Sequence, residues 1–486
     1  MFQSSKRLKV NAIRHRNFKN TQRLDSLQRD SKTCETTCNE SFRQYLRNTT
    51  LHGLKYVGDS TITLFERIFF GLMFSVVVAL SAYFITNVYD KYSSSPMIIS
   101  LNSRPTDITE LPFPAVTVCN MNQAVKSVVA NYDVDSDEFS MIQSICAVAV
   151  DEDAKNLKSG KWTDFQKVLI DVSQSCKDML ISCNYGGFEY NCSDVFITVL
   201  TDEGLCCTFN GVNRKFIAKP NIKDPQEFNM SQHLDKFANQ WTPETGFASE
   251  ELKNHKLGYP RSTVGTGAHL GLSVILDAGI SEYYCSSTSS YGFKILLHSP
   301  TEAPQISNYG TSISNGYESR VVITPALSEA SATVRNMPLN VRHCLFEDEN
   351  HLKYFRTATS IHLLHKNSNF YWKFSSQWMP RFYENIPICG RSNDDCVDDV
   401  TNQINARKNS SFFCDCLPGC FEINYHAKVS MAPLLYGAPV LAKKALSEPN
   451  VSIAHIFYQY RFFRSEKKDE LIGFTELLCK LNALIY

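Results

Sequence analysis

The sequence has no excess of charge of either sign, because 49 Lys and Arg residues balance 49 Asp and Glu residues over 486 positions. That balance argues against a dedicated nucleic-acid binder. The chain also contains no internal repeat, no low-complexity tract and no local signature of a catalytic nucleophile. Its glycine-rich stretch Gly265–Gly271 lacks the Lys-Ser/Thr pair and the strand-to-helix context of a phosphate loop. An enzyme therefore has no support, and we expect no catalytic residue, no cofactor and no metal site.

One long apolar run is present near the N-terminus. Ile68–Tyr89 holds twenty-two residues without a charge, and as an α-helix that length matches a hydrocarbon core of about 30 Å. A signal peptide and a buried core helix are the alternatives, but a signal peptide is shorter and lies closer to the terminus. Thirteen Lys or Arg against six Asp or Glu in residues 1–67 predict a cytoplasmic N-terminus, with the chain after Asp90 outside.

Cysteine usage agrees with this topology. Fourteen of the seventeen cysteines lie in the predicted extracellular segment: Cys119, Cys146, Cys176, Cys183, Cys192, Cys206, Cys207, Cys285, Cys344, Cys389, Cys396, Cys414, Cys416 and Cys420. An even number of cysteines facing an oxidising compartment predicts disulfides. Four Asn-X-Ser/Thr acceptors for N-glycosylation fall on the same side, at Asn191, Asn229, Asn409 and Asn450.

The pattern of apolar and turn-forming residues in the extracellular segment predicts an α+β fold with central β-strands and peripheral helices. Residues 123–182 carry apolar side chains three and four apart, as in helices. From Phe196 to Val322, stretches such as GLSVILDA, GFKILLHSP and ESRVVITP alternate with turn signals, as strands do. Cys183 and Cys192 bound a loop that one disulfide could close. The three cysteines of CDCLPGC at 414–420 surround a Pro-Gly turn and must be joined to other parts of the chain.

Several motifs in order along the chain resemble the degenerin/epithelial sodium channel family, and most closely its insect pickpocket branch. They are His52-Gly53, LPFPAVTVCN at 111–120, YNCSDVFITVLTDEGLCCTFN at 190–210, GLSVILD at 271–277, GFKILLHSPTEAP at 292–304, RHCLFEDE at 342–349 and CDCLPGCFEINY at 414–425. The resemblance implies a homo- or hetero-trimeric, ligand- or force-gated cation channel of the amiloride-sensitive type. Each subunit would have two membrane-spanning helices around a cysteine-rich ectodomain, with sodium ions and membrane lipid as its partners.

The resemblance also implies roles for individual residues. It gives His52 and Gly53 a gating role, whereas the residues by themselves indicate a turn before a helix. It pairs Cys119 with Cys206 or Cys207, Cys183 with Cys192, and Cys344 with Cys420. It leaves the partners of Cys146, Cys176 and Cys285 unassigned.

Two departures from the family pattern bear on function. Residues 357–387 contain no cysteine where the family has several, so Cys389, Cys396, Cys414 and Cys416 are predicted to lack their usual partners. The family's second spanning helix follows a segment like Gly473–Leu478, but here Lys480 follows and no apolar run of about 20 residues comes after it. We therefore expect this form to lack the selectivity filter and to carry no sodium current alone.

These observations divide the chain into four predicted segments: a cytoplasmic basic arm at 1–66, a transmembrane helix at 67–90, an extracellular cysteine-rich domain at 91–471 and a truncated second transmembrane helix at 472–486. The predicted function is that of a subunit of a gated sodium channel in the plasma membrane. The alternative is a single-span glycoprotein that binds or modulates full-length channel subunits.

Overall fold

The computed structural model describes residues 40–42, 44–46, 48–49, 53–59, 61–94, 97–146, 162–212, 217, 241–249, 259–349, 375–376, 388–389, 417–435, 451–471 and 473–485. The chain divides into two compact units, one formed by Met1–Pro96 with Leu471–Tyr486 and the other by Met97–Glu470.

The helices and strands are numbered along the chain. The helices are α1 (Leu54–Gly58), α2 (Leu64–Ser94), α3 (Lys126–Val129), α4 (Asp137–Cys146), α5 (Trp162–Val172), α6 (Cys176–Met179), α7 (Cys192–Val195), α8 (Ile306–Tyr309), α9 (Ala332–Arg335), α10 (Leu339–Arg342) and α11 (Phe474–Ile485). Strands of the first half are β1 (Met97–Leu101), β2 (Thr106–Asp107), β3 (Ala115–Asn120), β4 (Asn122–Val125), β5 (Leu180–Tyr185), β6 (Phe188–Tyr190), β7 (Phe196–Thr201), β8 (Gly204–Phe209), β9 (Trp241–Thr242) and β10 (Gly246–Phe247). The remaining strands are β11 (Leu272–Asp277), β12 (Tyr283–Ser286), β13 (Gly292–His298), β14 (Thr311–Ser314), β15 (Tyr317–Ala330), β16 (Ser375–Ser376), β17 (Ile388–Cys389), β18 (Glu422–Pro433), β19 (Val451–Tyr458), β20 (Phe462–Phe463) and β21 (Glu466–Glu470).

The first unit is built around the long helix α2. The backbone N–H and the hydroxyl of Thr63 both donate to Glu66 Oε2, at 2.8 and 2.9 Å, so a capping box closes the helix start. Inside the helix, the hydroxyls of Ser75 and Thr86 donate to backbone carbonyls one turn earlier, each at 2.9 Å. These two hydroxyls thus find hydrogen-bond acceptors within the apolar helix itself.

The second unit contains a large mixed sheet with the strand order β1-β21-β15-β19-β11-β5-β6, and β18 pairs with β15 off this path. The fourteen-residue strand β15 pairs with β18 antiparallel along most of its length. It also runs parallel to β19 and, at its C-terminal end, to β21. One strand therefore joins segments that are far apart in the sequence.

A second sheet has the order β14-β13-β3-β8-β7. Every residue of β3 is buried, which explains why AVTVCN at 115–120 shows no alternation of polar and apolar residues. The inner faces of both sheets contribute to one core cluster, which includes Val118, Phe209, Leu276, Phe293 and Ile456. The mixed helix and strand content predicted from the sequence is confirmed.

A smaller core lies beside the sheets and is mainly helical. Ile142 and Ile145 of α4 pack with Leu169 and Val172 of α5 and with Ala124 of β4. Most of this cluster falls in the 123–182 region, where the apolar periodicity predicts helices. The Cys146–Cys285 disulfide joins its α4 to β12.

Candidate functional site

Helix α2 is the candidate membrane-spanning element. Leu64–Ser93 is long enough and apolar enough to cross a bilayer, and its most apolar stretch is not buried inside the structure. A core helix of a soluble domain would bury its apolar face against neighbours, whereas α2 exposes large side chains such as Leu72, Val77 and Leu80. Exposed apolar side chains along a helix of this length fit an environment of lipid.

The turn before α1 carries the predicted gating motif. Gly53 has φ +85°, and a Cβ added there would meet no atom within 4 Å. Backbone conformation rather than crowding is thus what favours glycine at this position. Tyr56 of α1 stacks on Phe70 of α2 at 4.7 Å between ring centroids, so the turn connects to the base of the long helix. His52 lies outside the described residues.

The neighbouring cysteines Cys206 and Cys207 of β8 bind different partners. Cys119 of β3 is joined to Cys206, and Cys176 at the start of α6 is joined to Cys207. Successive side chains on a strand point to opposite faces of the sheet. Cys206 therefore lies on the face that it shares with Cys119 of the neighbouring strand β3, and Cys207 lies on the opposite face, where it meets Cys176 of α6. The choice that the sequence left open follows from this alternation.

Three further disulfides join described residues. Cys183 pairs with Cys192, Cys344 pairs with Cys420, and Cys146, which the sequence left unassigned, pairs with Cys285. Of the predicted unpaired cysteines, Cys396, Cys414 and Cys416 lie outside the described residues. Cys389 is described only as part of the two-residue strand β17, without its side chain.

An arginine cluster supports the Cys344–Cys420 disulfide. Arg342 is 5% exposed in its side chain, and its guanidinium donates to the carbonyls of Cys344 and Arg335, each at 3.1 Å, and to the Glu349 carboxylate. Both Arg335 and Arg342 also lie over the Phe346 ring, at 4.3 and 5.1 Å. A rigid planar cation with several partners fixes the backbone on one side of the disulfide.

A buried ion pair ties β13 to the β7-β8 turn. Lys294 Nζ lies 2.8 Å from Glu203 Oε2, with side-chain exposures of 9% and 2%, and the Ser287 hydroxyl also donates to Glu203. The neighbouring Asp202 accepts from the backbone N–H groups of Ile306 and Ser307, at 2.8 and 3.1 Å. Burial raises the pKa of Asp202 above its ordinary value, against the lowering effect of these hydrogen bonds.

A neutral histidine lies within the smaller sheet. His298 Nδ1 donates a hydrogen bond to the backbone carbonyl of Ser299 at 2.9 Å. The other ring nitrogen, Nε2, therefore accepts from the Thr117 hydroxyl at 2.9 Å. Burial lowers the pKa of His298 to about 4. The ring is therefore uncharged at neutral pH and serves as a fixed hydrogen-bonding link between β13 and β3.

The motif LPFPAVTVCN enters an aromatic core. Phe113 meets the rings of Tyr185, Phe209 and Tyr458 edge-on, with centroids 5.1, 5.9 and 5.9 Å away. The Tyr425 hydroxyl donates to the Pro112 carbonyl at 3.0 Å. Burial raises the pKa of Tyr185, Tyr425 and Tyr458 well above the usual value. None of these hydroxyls therefore ionises in the physiological range, and those of Tyr185 and Tyr425 serve as hydrogen-bond donors to backbone carbonyls.

One predicted glycosylation acceptor lies in the described part of the chain. Asn191 is exposed and immediately precedes α7, next to the edge strand β6. Asn229, Asn409 and Asn450 lie outside the described residues.

The sequence reasoning missed the Lys294–Glu203 pair, although a signal for it was present. A lysine within the apolar stretch GFKILLH, in a strand with buried neighbours, needs a buried partner because an unpaired charge is costly in a core. That signal indicates a carboxylate but does not indicate which one.

The chain matches known proteins over almost its whole length. Residues 45–482 match the family described as amiloride-sensitive sodium channel. The chain is 38% identical to Pickpocket protein 28 of Drosophila melanogaster over 456 residues, covering 91% of this chain and 74% of that protein. It is 23% identical to Sodium channel protein Nach of Drosophila melanogaster over 486 residues, covering 91% and 84%. It is 23% identical to Acid-sensing ion channel 1 of Gallus gallus over 474 residues, covering 89% of this chain and 78% of that protein.

Proposed function

The chain belongs to the amiloride-sensitive sodium channel family, and from this premise we propose that it is a subunit of a gated, amiloride-sensitive sodium channel of the plasma membrane. Members of this family are channels that assemble as oligomers and conduct sodium. The observation that carries the proposal is a family match extending through both helix α2 and the disulfide-bonded, β-rich unit that follows it.

The proposed topology places the N-terminus in the cytoplasm, α2 across the bilayer and Met97–Glu470 outside. The basic excess before α2 supports this orientation by the positive-inside rule. Five disulfides within the described part of Met97–Glu470 support an oxidising environment. We propose that three copies of this subunit, or this subunit with relatives, surround one sodium path.

Gating would then require that motion of the extracellular unit changes the membrane-spanning part. In the proposed scheme the disulfides make the ectodomain move as a body. The Gly53 turn would let the N-terminal segment reorient against α2. Its positive φ supports this role, because other residues adopt that conformation only with strain.

An ectodomain exchange tests the channel function. Met97–Glu470 of this chain replaces the aligned segment of Pickpocket protein 28, and the chimera is recorded by voltage clamp next to its parent under conditions in which the parent conducts. The chimera should carry an inward sodium current that amiloride blocks. A chimera that reaches the cell surface in equal amount but stays silent whenever the parent conducts would contradict the proposal.

Glycosidase treatment tests the topology. If Asn191, Asn229, Asn409 and Asn450 are extracellular, chain made in cells should lose apparent mass on treatment with a peptide N-glycosidase. The quadruple Asn→Gln variant should show no such change. Wild-type chain that shows no mass change at all would argue against the extracellular assignment.

A pair of glycine substitutions tests the gating role of the turn. Gly53→Ala in this chain, co-expressed with Pickpocket protein 28, should lower the amiloride-blocked current per surface subunit relative to the wild-type pair, because alanine at positive φ costs about 1–2 kcal/mol. Gly58→Ala is the matched control, since Gly58 is the last residue of α1 and is not among the positive-φ glycines. Equal effects of the two substitutions would remove the argument for Gly53.

A further inference from the structure

A partly open cavity of about 720 Å³ lies beside the predicted glycosylation acceptor Asn191. It is bounded by the β5-β6 hairpin, the short helices α6 and α7, and the first residues of β7. Its size falls in the range of about 300–1,000 Å³ that is typical of pockets for small ligands. Asn191 itself contributes to the wall.

The walls combine an apolar interior with a polar rim. Leu180, Phe196 and Ile197 line the cavity and are otherwise buried, at 5%, 5% and 6% exposure. Lys177 and Glu189 also line it and are exposed. A ligand suited to this cavity therefore has an apolar face and a periphery of hydrogen-bonding groups. Sugar rings, and N-acetylglucosamine above all with its acetamido methyl group, have that character.

We propose that the occupant is the N-linked glycan of Asn191 itself, with its first N-acetylglucosamine residues folded into this groove. Any glycan on Asn191 must begin at the groove, because the attachment atom Nδ2 belongs to a residue of its wall. The Asn191 side chain makes no capping hydrogen bond to α7, the helix it precedes in the described chain. The acceptor amide is thus exposed and unengaged by that helix. The inference rests on the extracellular topology proposed above.

The covalent step is the ordinary transfer of an oligosaccharide from a lipid-linked diphosphate. A bond forms between Asn191 Nδ2 and C1 of the first sugar, the bond from C1 to the diphosphate oxygen breaks, and the lipid diphosphate leaves while the amide loses one proton. What is new is the place that the product occupies. Ser193, the hydroxyl residue of the acceptor motif, also lines the groove.

A docked glycan would also cover an edge of the large sheet. Strand β6 ends the sheet order and pairs with β5 alone in the described residues. Unpaired strand edges invite pairing with other chains, and a bulky polar cover prevents it. With the glycan in this place, the edge at β6 would be directed to solvent in the assembled channel and would not form the contact between subunits.

The experiment uses the 486-residue chain with a single acceptor in the proposed extracellular unit, made by the substitutions Asn229→Gln, Asn409→Gln and Asn450→Gln. The rate of sugar release by a peptide N-glycosidase is measured on native protein and on denatured protein. A docked glycan should be released about tenfold more slowly from native protein, the factor that one or two net hydrogen bonds supply.

Two matched variants locate the protection. Glu189→Trp places a large ring in the groove and should raise the native release rate to the denatured value. Phe188→Trp, on the adjacent exposed residue of the same strand that does not line the groove, should leave release slow. If Glu189→Trp does not fold, Lys177→Trp on the opposite wall gives the same comparison.

The possible outcomes separate the inference from the topology on which it rests. The docked glycan is supported if sugar is released slowly from native protein, if Glu189→Trp speeds this release, and if Phe188→Trp does not. Equal release rates from native and denatured protein, or equal effects of the two tryptophans, overturn it. A wild-type chain that carries sugar at Asn229, Asn409 or Asn450 but never at Asn191 also overturns it and leaves the topology standing. A wild-type chain with sugar at none of the four acceptors overturns the topology itself.

Discussion

Removing the cation from the buried Lys294–Glu203 pair should destabilise the extracellular unit more than an ordinary charge substitution does. In Lys294→Met the Glu203 carboxylate keeps the Ser287 hydroxyl as donor but loses its counter-ion at 2.8 Å, while its side chain stays 2% exposed. Breaking a buried pair in this way costs about 3–5 kcal/mol, because a charge is left without compensation in a poorly solvated place.

That free energy converts to a measurable shift in melting temperature. With an unfolding entropy of about 2.1 cal/mol/K per residue, a unit the length of Met97–Glu470 melts about 1.3 °C lower for each kcal/mol lost, so Lys294→Met should lower Tm by about 4–6 °C. The assay is thermal unfolding of the detergent-purified chain at pH 7, followed by intrinsic fluorescence without reductant.

Two further variants test whether burial of the ion pair causes this loss of stability. The double variant Lys294→Met/Glu203→Met should recover most of the loss, since apolar replacements of buried pairs are often neutral or stabilising. Arg320→Met breaks an exposed ion pair, in which Arg320 Nε lies 3.6 Å from Glu318 Oε1 and the two side chains are 58% and 38% exposed. This substitution should change Tm by about 1 °C or less. A Lys294→Met protein that melts within the same narrow range as Arg320→Met would refute the reasoning that Glu203 is a desolvated carboxylate.

Three further predictions test other contacts. Replacing Cys206 by serine should expose Cys119 to thiol labelling in peptide maps, whereas replacing Cys207 should leave Cys119 protected; the reverse pattern would contradict the assignment. Burial lowers the pKa of His298 to about 4, below an unfolded value of about 6.5, so the unfolded chain binds the extra proton and the free energy of unfolding should fall by about 2–3 kcal/mol as pH drops to 4.5. In His298→Gln the difference in Tm between pH 7 and pH 4.5 should therefore be smaller than in wild type by about 3 °C. A difference equal to that of wild type would count against a neutral buried ring. At Gly292, with φ +139°, an added Cβ would collide with a backbone carbonyl of the paired strand β14. Gly292→Ala should therefore lower the free energy of unfolding by about 2–4 kcal/mol. A Tm equal to that of wild type would show that the two strands separate easily there.

Several features follow from local sequence because their causes are local. Helix α2 contains the whole uncharged run Ile68–Tyr89, since length and apolar composition by themselves favour a membrane-length helix. Strands β11 and β13 lie within the segments GLSVILDA and GFKILLHSP, where turn residues bound short runs rich in β-branched and apolar side chains. The family resemblance, which depends on motifs read in order, is confirmed by the match over residues 45–482.

Other features were decided only by the tertiary structure, because they depend on residues brought together from distant parts of the chain. The partners of Cys206 and Cys207 depend on the pairing of β8 with β3 and on which face of that sheet carries α6. The partner of Lys294 depends on where the β7-β8 turn docks, 91 positions away in sequence. Periodicity reports which face of an element is buried, but the neighbour that covers this face is set by the packing of the whole unit.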